Sequence, residues 1–491
     1  MRNKFYITTA IAYVNAPPHI GFSYELILAD VLARWHRLKE EDVFFLTGTD
    51  DNAQKNDEAA KKVNKDTKEF VDENAEKFKE LCKILNISYN HFIRTTESKH
   101  KRIARDIFRS VYERGDIYKS NYEGLYCTGC EEFKTEKELV DGKCPEHNQE
   151  LKLIKEESYF FKLSKYRNKL IKLVESKDFI LPKEKRNEIL SRLKDDELKD
   201  LSVSRINKEW GIKTPIDEKH VIYVWFDALI NYVSGIDYPE GEKFKQFWPA
   251  DVHLIGKGIN WFHSVIWPGM LMSAKIKTPK TILVHGYLTV NGKKIGKSLG
   301  NVVDPKFFVD KYGADQLRYY LIREIPFGQD GDVNENILKI RINNELANEL
   351  GNLVSRILTL AEKNFNGEIK KSVLDKKLID RLNLKKIHDC MDKFELHNAL
   401  SEIFRFISEC NKHINEEKIW ELKDKEQEKH LYTLLESLRI ISILISPFIP
   451  ETSRKLNKQL GIKNGFLDEC RFGLIKSYKV KKEGILFNKI E

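Results

Sequence analysis

"FYITTAIAYVNAPPHIGFSYELILADVLARWHRLKEEDVFFLTGTD", residues 5–50, contains three structural elements in a row. Its first part, FYITTAIAY, is apolar and rich in β-branched residues, which predicts a buried strand. The middle part places Ile27, Val31 and Trp35 at helical spacing, and DVFFLTGTD predicts a second strand. Strand, helix and strand with a short first loop predict a βαβ unit. Its two strands are then parallel, and ligands bind beyond their carboxyl ends.

The composition favours a globular, multidomain protein without a membrane-spanning segment. The chain has 491 residues, of which 41% are hydrophobic, so about three domains are expected. The formal net charge of +9 suggests an acidic partner such as nucleic acid, although a lysine-rich surface gives the same balance. The start, MRNKFYITTAIAY, resembles a signal peptide, but its two threonines and the polar VNAPPH behind it favour a cytoplasmic protein.

Four residues between positions 127 and 147 have the spacing of a zinc site. Two residues separate Cys127 from Cys130, and two separate Cys144 from His147. Two tight turns with two ligands each can surround one Zn²⁺ ion tetrahedrally, with bonds of about 2.0–2.3 Å. Because all four positions are filled, the pattern favours a structural zinc ion. Buried thiols without metal are the alternative.

The remaining signals divide the chain. Aromatic, hairpin-like pieces around the cysteine cluster indicate an inserted domain, and strand signals return at HVIYVWFDA, DVHLIGKGI and TILVHGYLTV, as if the sheet were being completed. After about residue 345, long amphipathic runs predict a helical bundle.

We therefore predict an α/β plus all-α protein: a split Rossmann-like parallel sheet with a zinc-binding insertion, followed by a C-terminal helical bundle. The predicted boundaries are 1–115 and 222–289 for the two halves of the sheet domain, 116–221 for the insertion, 290–345 for a loop and linking region, and 346–491 for the bundle.

Two segments have the chemistry of a phosphate-binding site. In PPHIGF, the prolines keep the chain extended until about His19, whose ring and neighbouring amides then lie at the positive end of a helix. Gly21 lets a nucleotide approach the backbone. In NGKKIGKSLGN, Lys294, Lys297 and Ser298 lie between glycines and can close over a polyphosphate. Taken singly, each segment has an ordinary alternative, a capping histidine or a solvated basic turn.

Taken together, HIGF after the first strand and KIGKS after the last resemble the HIGH and KMSKS signatures of class I aminoacyl-tRNA synthetases. The segments YVNAPPHIG, FLTGTD, YVWFDA, WFHSVIWP and VHGYLTVNGKK resemble the methionyl-tRNA synthetase family in particular, and the resemblance runs from residue 5 to the end of the chain. It implies ATP-dependent formation of methionyl-adenylate and transfer of methionine to tRNA(Met). It also implies a monomer of the short form, which lacks an appended RNA-binding domain.

The resemblance implies roles for individual residues. ATP, with Mg²⁺ on its phosphates, is expected to contact His19, Gly21, Glu25, Lys294, Lys297 and Ser298. Methionine is expected to contact Ile11, Tyr13, Asp50, Trp225, Tyr232 and His263, with its ammonium group on Asp50. The anticodon is expected to contact Asn352, Arg356 and Trp420. Spacing alone would instead favour core packing for Trp225 and Tyr232, and Trp420 is equally compatible with a core anchor.

Several positions depart from the family pattern. The departures are Phe22 for a second histidine, Ile295 and Gly296 for Met and Ser, Asp51-Asn52-Ala53 for Glu-His-Gly, Gly258 for an aspartate near the ATP ribose, and Ile419 for a proline. They motivate one alternative, a synthetase-like paralogue that binds RNA without activating an amino acid. Synthetases for leucine, isoleucine or valine usually carry a large editing insertion, for which the insertion predicted here is too short.

Overall fold

The computed structural model describes residues 3–127, 132–134, 139–145, 149–206, 208–290, 292–294 and 303–490. Its strands are β1 (Lys4–Thr9), β2 (Ala12–Tyr13), β3 (Asp42–Asp50), β4 (His91–Arg94), β5 (Ile117–Cys127), β6 (Glu132–Lys134), β7 (Lys152–Phe161), β8 (Ile180–Leu181), β9 (Leu201–Ser202), β10 (Ser204–Ile206), β11 (His220–Ile222), β12 (Val252–Gly256), β13 (Thr281–His285), β14 (Leu288–Val290), β15 (Lys293–Lys294), β16 (Gly331–Val333), β17 (Glu368–Lys370) and β18 (Ser477–Lys479).

The helices alternate with strands in the first part of the chain and dominate the last part. They are α1 (Ile20–Leu38), α2 (Gln54–Lys62), α3 (Thr67–Ile84), α4 (Ser98–Glu113), α5 (Arg167–Glu175), α6 (Lys183–Asp195), α7 (Val224–Ala228), α8 (Asn231–Ser234), α9 (Glu242–Phe247), α10 (Trp267–Ala274), α11 (Pro305–Tyr312), α12 (Ala314–Glu324), α13 (Glu335–Arg341), α14 (Asn352–Phe365), α15 (Lys376–Ile379), α16 (Leu384–Asp392), α17 (Leu396–Glu416), α18 (Asp424–Ile445) and α19 (Pro450–Leu460). Two π-helical segments, Phe262–Ile266 and Ile342–Gly351, precede α10 and α14.

A seven-stranded parallel sheet forms the centre of the first domain. Strand β1 pairs with β3 on one side and with β12 on the other, and β13 and β8 continue the sheet beyond β12. Both β2 and β4 pair with β3. The predicted βαβ unit is therefore confirmed as β1, α1 and β3. The carboxyl ends of these strands lie on one edge of the sheet, which is where a split sheet of this kind binds ligands.

Two details of the sheet differ from the expectation. The run HVIYVWFDA forms only the short strand β11, which pairs antiparallel with β10 outside the parallel sheet, and then becomes α7. The prediction of a sheet strand there is wrong, because a run buried on all sides has no period that separates strand from helix. Strand β8 lies in the span 116–221, yet it pairs with β13 of the parallel sheet.

The segment between the two halves of the sheet contains a second, antiparallel sheet in the order β6–β5–β7–β9. Strands β5 and β7 form its long hairpin, paired from Ile117 with Phe161 to Tyr126 with Lys152. Cys127 ends β5, so the first cysteine of the predicted zinc site lies at the tip of this hairpin.

The last part of the chain is the predicted helical bundle, in which α17 and α18 are the longest helices and carry more buried apolar side chains than any other helix there. One apolar core runs from Trp35 of α1 through Tyr319 of α12 to Leu438 of α18. The two domains therefore pack on one another through α12. A search of the described residues finds no helix that is long and apolar enough to cross a membrane.

A buried arginine joins these parts. Arg318 of α12 is fully buried, and its guanidinium lies 2.8 Å from the carboxylate of Asp30 in α1. The same group donates hydrogen bonds to the backbone carbonyls of Leu85, Pro447 and Phe448. Burial alone would raise the pKa of Asp30, but Arg318 and Arg34 lower it below its ordinary value. The resulting stabilisation is complete above about pH 4 and is lost as the pH falls further.

Replacement of this arginine tests its role. We expect Arg318→Ala to lower the free energy of unfolding by about 3–5 kcal/mol, because it leaves three carbonyl groups buried without a donor and removes one of the two arginines that pair with the buried Asp30 carboxylate. The urea midpoint, followed by circular dichroism at pH 7, measures the effect. Arg454→Ala removes an exposed arginine that pairs with Glu451 three positions earlier, and this control should leave the midpoint almost unchanged. Equal midpoints for the two variants would contradict the role of Arg318.

Candidate functional site

The amino end of α1 lies at the carboxyl edge of the sheet. The helix begins at Ile20 with His19 as its N-cap, as the two prolines predicted. The exposed ring of His19 folds back on the helix, and its Nδ1 accepts a hydrogen bond from the Gly21 amide at 3.1 Å. A Cβ atom on residue 21 would lie 2.9 Å from this ring, so glycine allows the close approach. The imidazole is thereby held at the positive end of the helix.

Glu25, one turn further along α1, connects three parts of the sheet domain. One carboxylate oxygen accepts the Ala10 amide at 2.9 Å, and the other lies 3.0 Å from Nε2 of His285. The other ring nitrogen, Nδ1, donates to the Gly286 carbonyl at 2.7 Å, because a carbonyl can only accept. Glu25 is 7% exposed. Both of its oxygens therefore hold the helix against the ends of β1 and β13, and its contact with ATP stays a prediction.

An aromatic cluster lies beside Asp50 at the same edge of the sheet. Trp225 stacks on Phe262, with ring centroids 3.8 Å apart and planes 13° apart. Tyr13 and His263 present their rings edge-on to Trp225 at 6.2 and 6.3 Å. Tyr13 is paired across the sheet with Asp50, which is buried at the end of β3. The structure thus brings a carboxylate and a group of aromatic rings together from four separate segments of the chain.

The histidines of this cluster are held in the neutral state. Nδ1 of His263 donates to the Ile259 carbonyl at 2.9 Å, so its Nε2 carries a lone pair that accepts the Tyr232 hydroxyl at 2.7 Å. Burial lowers the pKa of His263 to about 4. Tyr232 in turn stacks on His253 at 4.1 Å, and burial also lowers the pKa of that histidine. Near neutral pH both imidazoles are uncharged.

The other residues predicted for ATP, methionine and zinc binding lie in the loop after β1, in and after β15, and in the insertion. Ile11 is half-buried in the loop between β1 and β2 and packs against the same apolar core as Trp225. Lys294 is part of β15, whose backbone pairs with β14, while Lys297 and Ser298 lie outside the described residues. Cys127 and Cys144 are both buried, whereas Cys130 and His147 lie outside the described residues.

The predicted anticodon residues form a separate group in the helical domain. Trp420 is 48% exposed, and the guanidinium of Arg356 lies 5.7 Å from the centre of its ring. Arg356 also donates to the Asn415 side chain at 2.7 Å, and Asn352 is exposed one turn before it on α14. Ile419 is the residue that enters the core, with no exposed surface. The alternative interpretation of Trp420 as a core anchor is therefore wrong.

Two residues that depart from the family pattern have clear packing roles. Phe22 meets Phe78 edge-on at 4.9 Å, so it joins α1 to α3. Asn52 donates from its amide group to the Asp227 carboxylate at 2.8 Å and to the Thr95 carbonyl at 3.1 Å. Asn52 therefore links the chain just after Asp50 to helix α7, which carries Trp225.

The position of Gly258 has a different explanation. A side chain at residue 258 would overlap with the hydroxyl group of Tyr287, which occupies this space. Lys257 lies over the Tyr287 ring, 4.7 Å from its centre, and also forms an ion pair with Asp330. Tyr287 thus fills the room that a residue with a side chain would need.

Sequence reasoning missed three contributors to the site: Phe262, which stacks on Trp225, His285, which lies beside Glu25, and Tyr287. All three lie in segments whose resemblance to the family is recognisable, WFHSVIWP and VHGYLTVNGKK. Local spacing could not find them, because each acts on a residue of a different element. For His285 the partner is 260 positions away.

The charge of His263 can be tested directly. We expect its imidazole to stay neutral from pH 8 to about pH 5, because burial lowers its pKa to about 4. Proton NMR of the ring resonances, with His263 assigned by its loss in His263→Asn, follows the titration. The same protein unfolded in urea provides the comparison, in which the imidazole should titrate near the ordinary histidine value of about 6.5. A midpoint for His263 near that value would contradict the expectation.

Comparisons with known proteins agree with this architecture. The family model described as "tRNA synthetases class I (M)" matches residues 5–152 and 147–358, and the model "Anticodon-binding domain of tRNA ligase" matches residues 375–483. A methionine–tRNA ligase from Caldanaerobacter subterraneus subsp. tengcongensis is 48% identical over 100% of this chain and 80% of its own length. One from Rickettsia felis is 45% identical over 94% of this chain and 93% of its own length.

A solved structure gives the same result. Mycobacterium tuberculosis methionyl-tRNA synthetase in complex with methionyl-adenylate superposes with a TM-score of 0.95 at 37% identity, covering 99% of both chains. Full-length similarity, the parallel sheet and the helical domain together lead to one conclusion. This chain belongs to the methionyl-tRNA synthetase family of class I aminoacyl-tRNA synthetases.

Proposed function

We propose that this protein activates methionine with ATP and transfers the methionyl group to tRNA(Met). The observation that carries the proposal is the buried carboxylate of Asp50 beside the rings of Tyr13, Trp225 and His263. A carboxylate and an aromatic cluster are complementary to the two ends of methionine. The carboxylate pairs with the ammonium group, and the rings make favourable contacts with a thioether sulfur.

The protonation states support selection of an uncharged side chain. His263 and Tyr232 form a hydrogen bond that uses the lone pair of Nε2 and the hydroxyl proton, and the neutral imidazole adds no charge to the cluster. A charged amino-acid side chain would lose its hydration there, and the neutral pair of His263 and Tyr232 offers it no partner of opposite charge. Methionine loses little hydration on entering such surroundings.

The activation step needs orientation and charge stabilisation rather than a nucleophile on the protein. An oxygen of the methionine carboxylate attacks the α-phosphorus of ATP and forms the new phosphorus–oxygen bond. The bond from that phosphorus to the oxygen bridging toward the β-phosphate breaks, and pyrophosphate leaves with the electron pair. ATP brings Mg²⁺ on its phosphates as part of the substrate. His19 and the start of α1 stabilise the phosphate charge from one side, and Lys294, Lys297 and Ser298 stabilise it from the other.

In the transfer step, a terminal ribose hydroxyl of the tRNA attacks the methionyl carbonyl, an ester bond forms, and AMP leaves.

We further propose that Cys127, Cys130, Cys144 and His147 hold one structural zinc ion in the insertion. The position of Cys127 at the tip of the β5–β7 hairpin supports this site, and neither Cys127 nor Cys144 forms a disulfide bond with another described cysteine. We also propose that the protein acts as a monomer and that it is located in the cytoplasm.

The function is tested by methionine-dependent exchange between ATP and pyrophosphate, with a panel of other amino acids for comparison. Exchange should require methionine. We expect Lys297→Ala to reduce the exchange rate about 10²-fold, because it removes a cation that stabilises charge on the leaving pyrophosphate. Lys277→Ala changes an exposed lysine after α10 and should leave the rate unchanged.

Two results would contradict this proposal. Equal exchange rates for Lys297→Ala and wild type would refute the role of the lysine loop. Absence of exchange in folded wild-type protein that still binds tRNA(Met) would instead favour the RNA-binding paralogue.

The anticodon group is tested separately. We expect Trp420→Ala to lower kcat/KM for aminoacylation of tRNA(Met) about tenfold or more, because stacking of one base on an aromatic ring contributes about 1–3 kcal/mol. The exchange reaction, which needs no tRNA, should keep its rate. Phe466→Ala removes a similarly exposed aromatic side chain, 45% exposed, from the same domain and is the matched control. Equal aminoacylation by both variants would assign the anticodon contact to other residues.

A further inference from the structure

Three side chains from separate elements converge inside the helical domain, away from the proposed active site. His413 lies in the last turn of α17, His430 lies near the start of α18, and Asp375 is the N-cap of α15. Both histidines are buried, with 6% and 3% of their surface exposed. None of the three has a role in methionine activation or in the anticodon group described above.

The distances between their donor atoms match those of a metal site. Nε2 of His413 and Nδ1 of His430 form a hydrogen bond of 3.1 Å, which a bound ion would replace, and Oδ2 of Asp375 lies 3.8 and 3.5 Å from these two nitrogens. The point equidistant from the three atoms is about 2.0 Å from each, which is the length of a zinc–nitrogen or zinc–carboxylate bond. Two imidazoles and one carboxylate are also a typical set of zinc ligands.

The polar atoms of Asp375 and His430 that do not face the cluster have other partners, which leaves the remaining donor atoms directed toward one another. Asp375 uses its Oδ1 to accept the Lys377 amide at 2.9 Å, which leaves Oδ2 for the two histidines. The far nitrogen of His430, Nε2, lies 3.5 Å from the carboxylate of Glu426 on the same helix. Histidines that bind metals commonly donate their second ring N–H to a carboxylate, which orients the ring.

A second cluster of two carboxylates and a histidine provides a comparison, because a lysine of the chain pairs with its carboxylates. Glu157, Asp217 and His220 also converge, but the ammonium group of Lys119 lies 2.7 and 3.4 Å from the two carboxylates. There the cation is supplied by the chain. Within the described ranges, Asp375 forms no ion pair with a lysine or arginine, and the groups that face its Oδ2 are the two imidazoles.

We propose that Asp375, His413 and His430 bind a divalent transition-metal ion, with Zn²⁺ as the best match, and that water completes the coordination. The site would tie α17 to α18 and both to the N-cap of α15. The segment between α17 and α18 carries Trp420, so the ion would fix the connection that presents this ring. The proposed role is structural, because the site is distant in the chain from every residue of the activation step.

Metal content of the full-length protein tests the proposal. Protein stripped with a chelator, re-equilibrated with Zn²⁺ and dialysed should contain two ions per chain by mass spectrometry of the metal. The double variant His413→Gln/His430→Gln should lose one ion and keep the other. Cys144→Ser should lose the ion of the insertion and keep the new one, so that failure of one site is distinguishable from failure of the other. His397→Gln, also on α17, is the matched control and should retain both.

A conservative variant covers the case in which the double variant does not fold. Asp375→Asn keeps a side chain that can cap α15, but it removes the carboxylate ligand. We expect Zn²⁺ to raise the thermal midpoint of Cys144→Ser protein and to have at least tenfold weaker apparent affinity when Asp375→Asn is added. Two results would overturn the proposal: unchanged metal content in the double histidine variant, or Cys144→Ser protein that retains no zinc.

Discussion

The placement of Arg318 in the interior is the constraint on which the arrangement of the domains depends. A buried guanidinium needs a carboxylate and several hydrogen-bond acceptors, and Arg318 finds them in Asp30 of α1 and in carbonyl groups before and after it in the chain. Because α1 begins at Ile20, directly after its N-cap His19, the same contact sets the position of its amino end relative to the helical domain. The predicted ATP-binding end of one helix and the anticodon-binding domain are therefore parts of one packed unit.

The candidate site is built on that helix and on the edge of the parallel sheet. Rigid elements deliver Asp50, Tyr13 and the start of α1 to one place, while Trp225 and His263 arrive on short helical segments. The stacking of Trp225 on Phe262 and the hydrogen bond between Tyr232 and His263 restrict the rotamers of the rings. Side chains whose rotamers are restricted in this way favour catalysis by orientation.

Departures from the family pattern are compensated locally. Phe22 packs on Phe78, Asn52 joins Asp227, and the hydroxyl of Tyr287 occupies the space beside Gly258. In each case the altered position contacts neighbouring side chains, so the polar groups at the edge of the sheet are still fixed by the packing around them.

The sequence by itself determined the βαβ unit, the start of α1 just after the two prolines and the helical C-terminal part, because each depends on local periodicity or on the fixed backbone angles of proline. The family motifs also pointed to Tyr13, Trp225 and His263, which the structure brings together, but not to Phe262. Only the tertiary structure decided that HVIYVWFDA turns into a helix, that β8 joins the parallel sheet, and that Glu25 meets His285. It alone brought Asp375, His413 and His430 within reach of one ion. These outcomes depend on contacts between residues far apart in the chain, which no local pattern of residue types encodes.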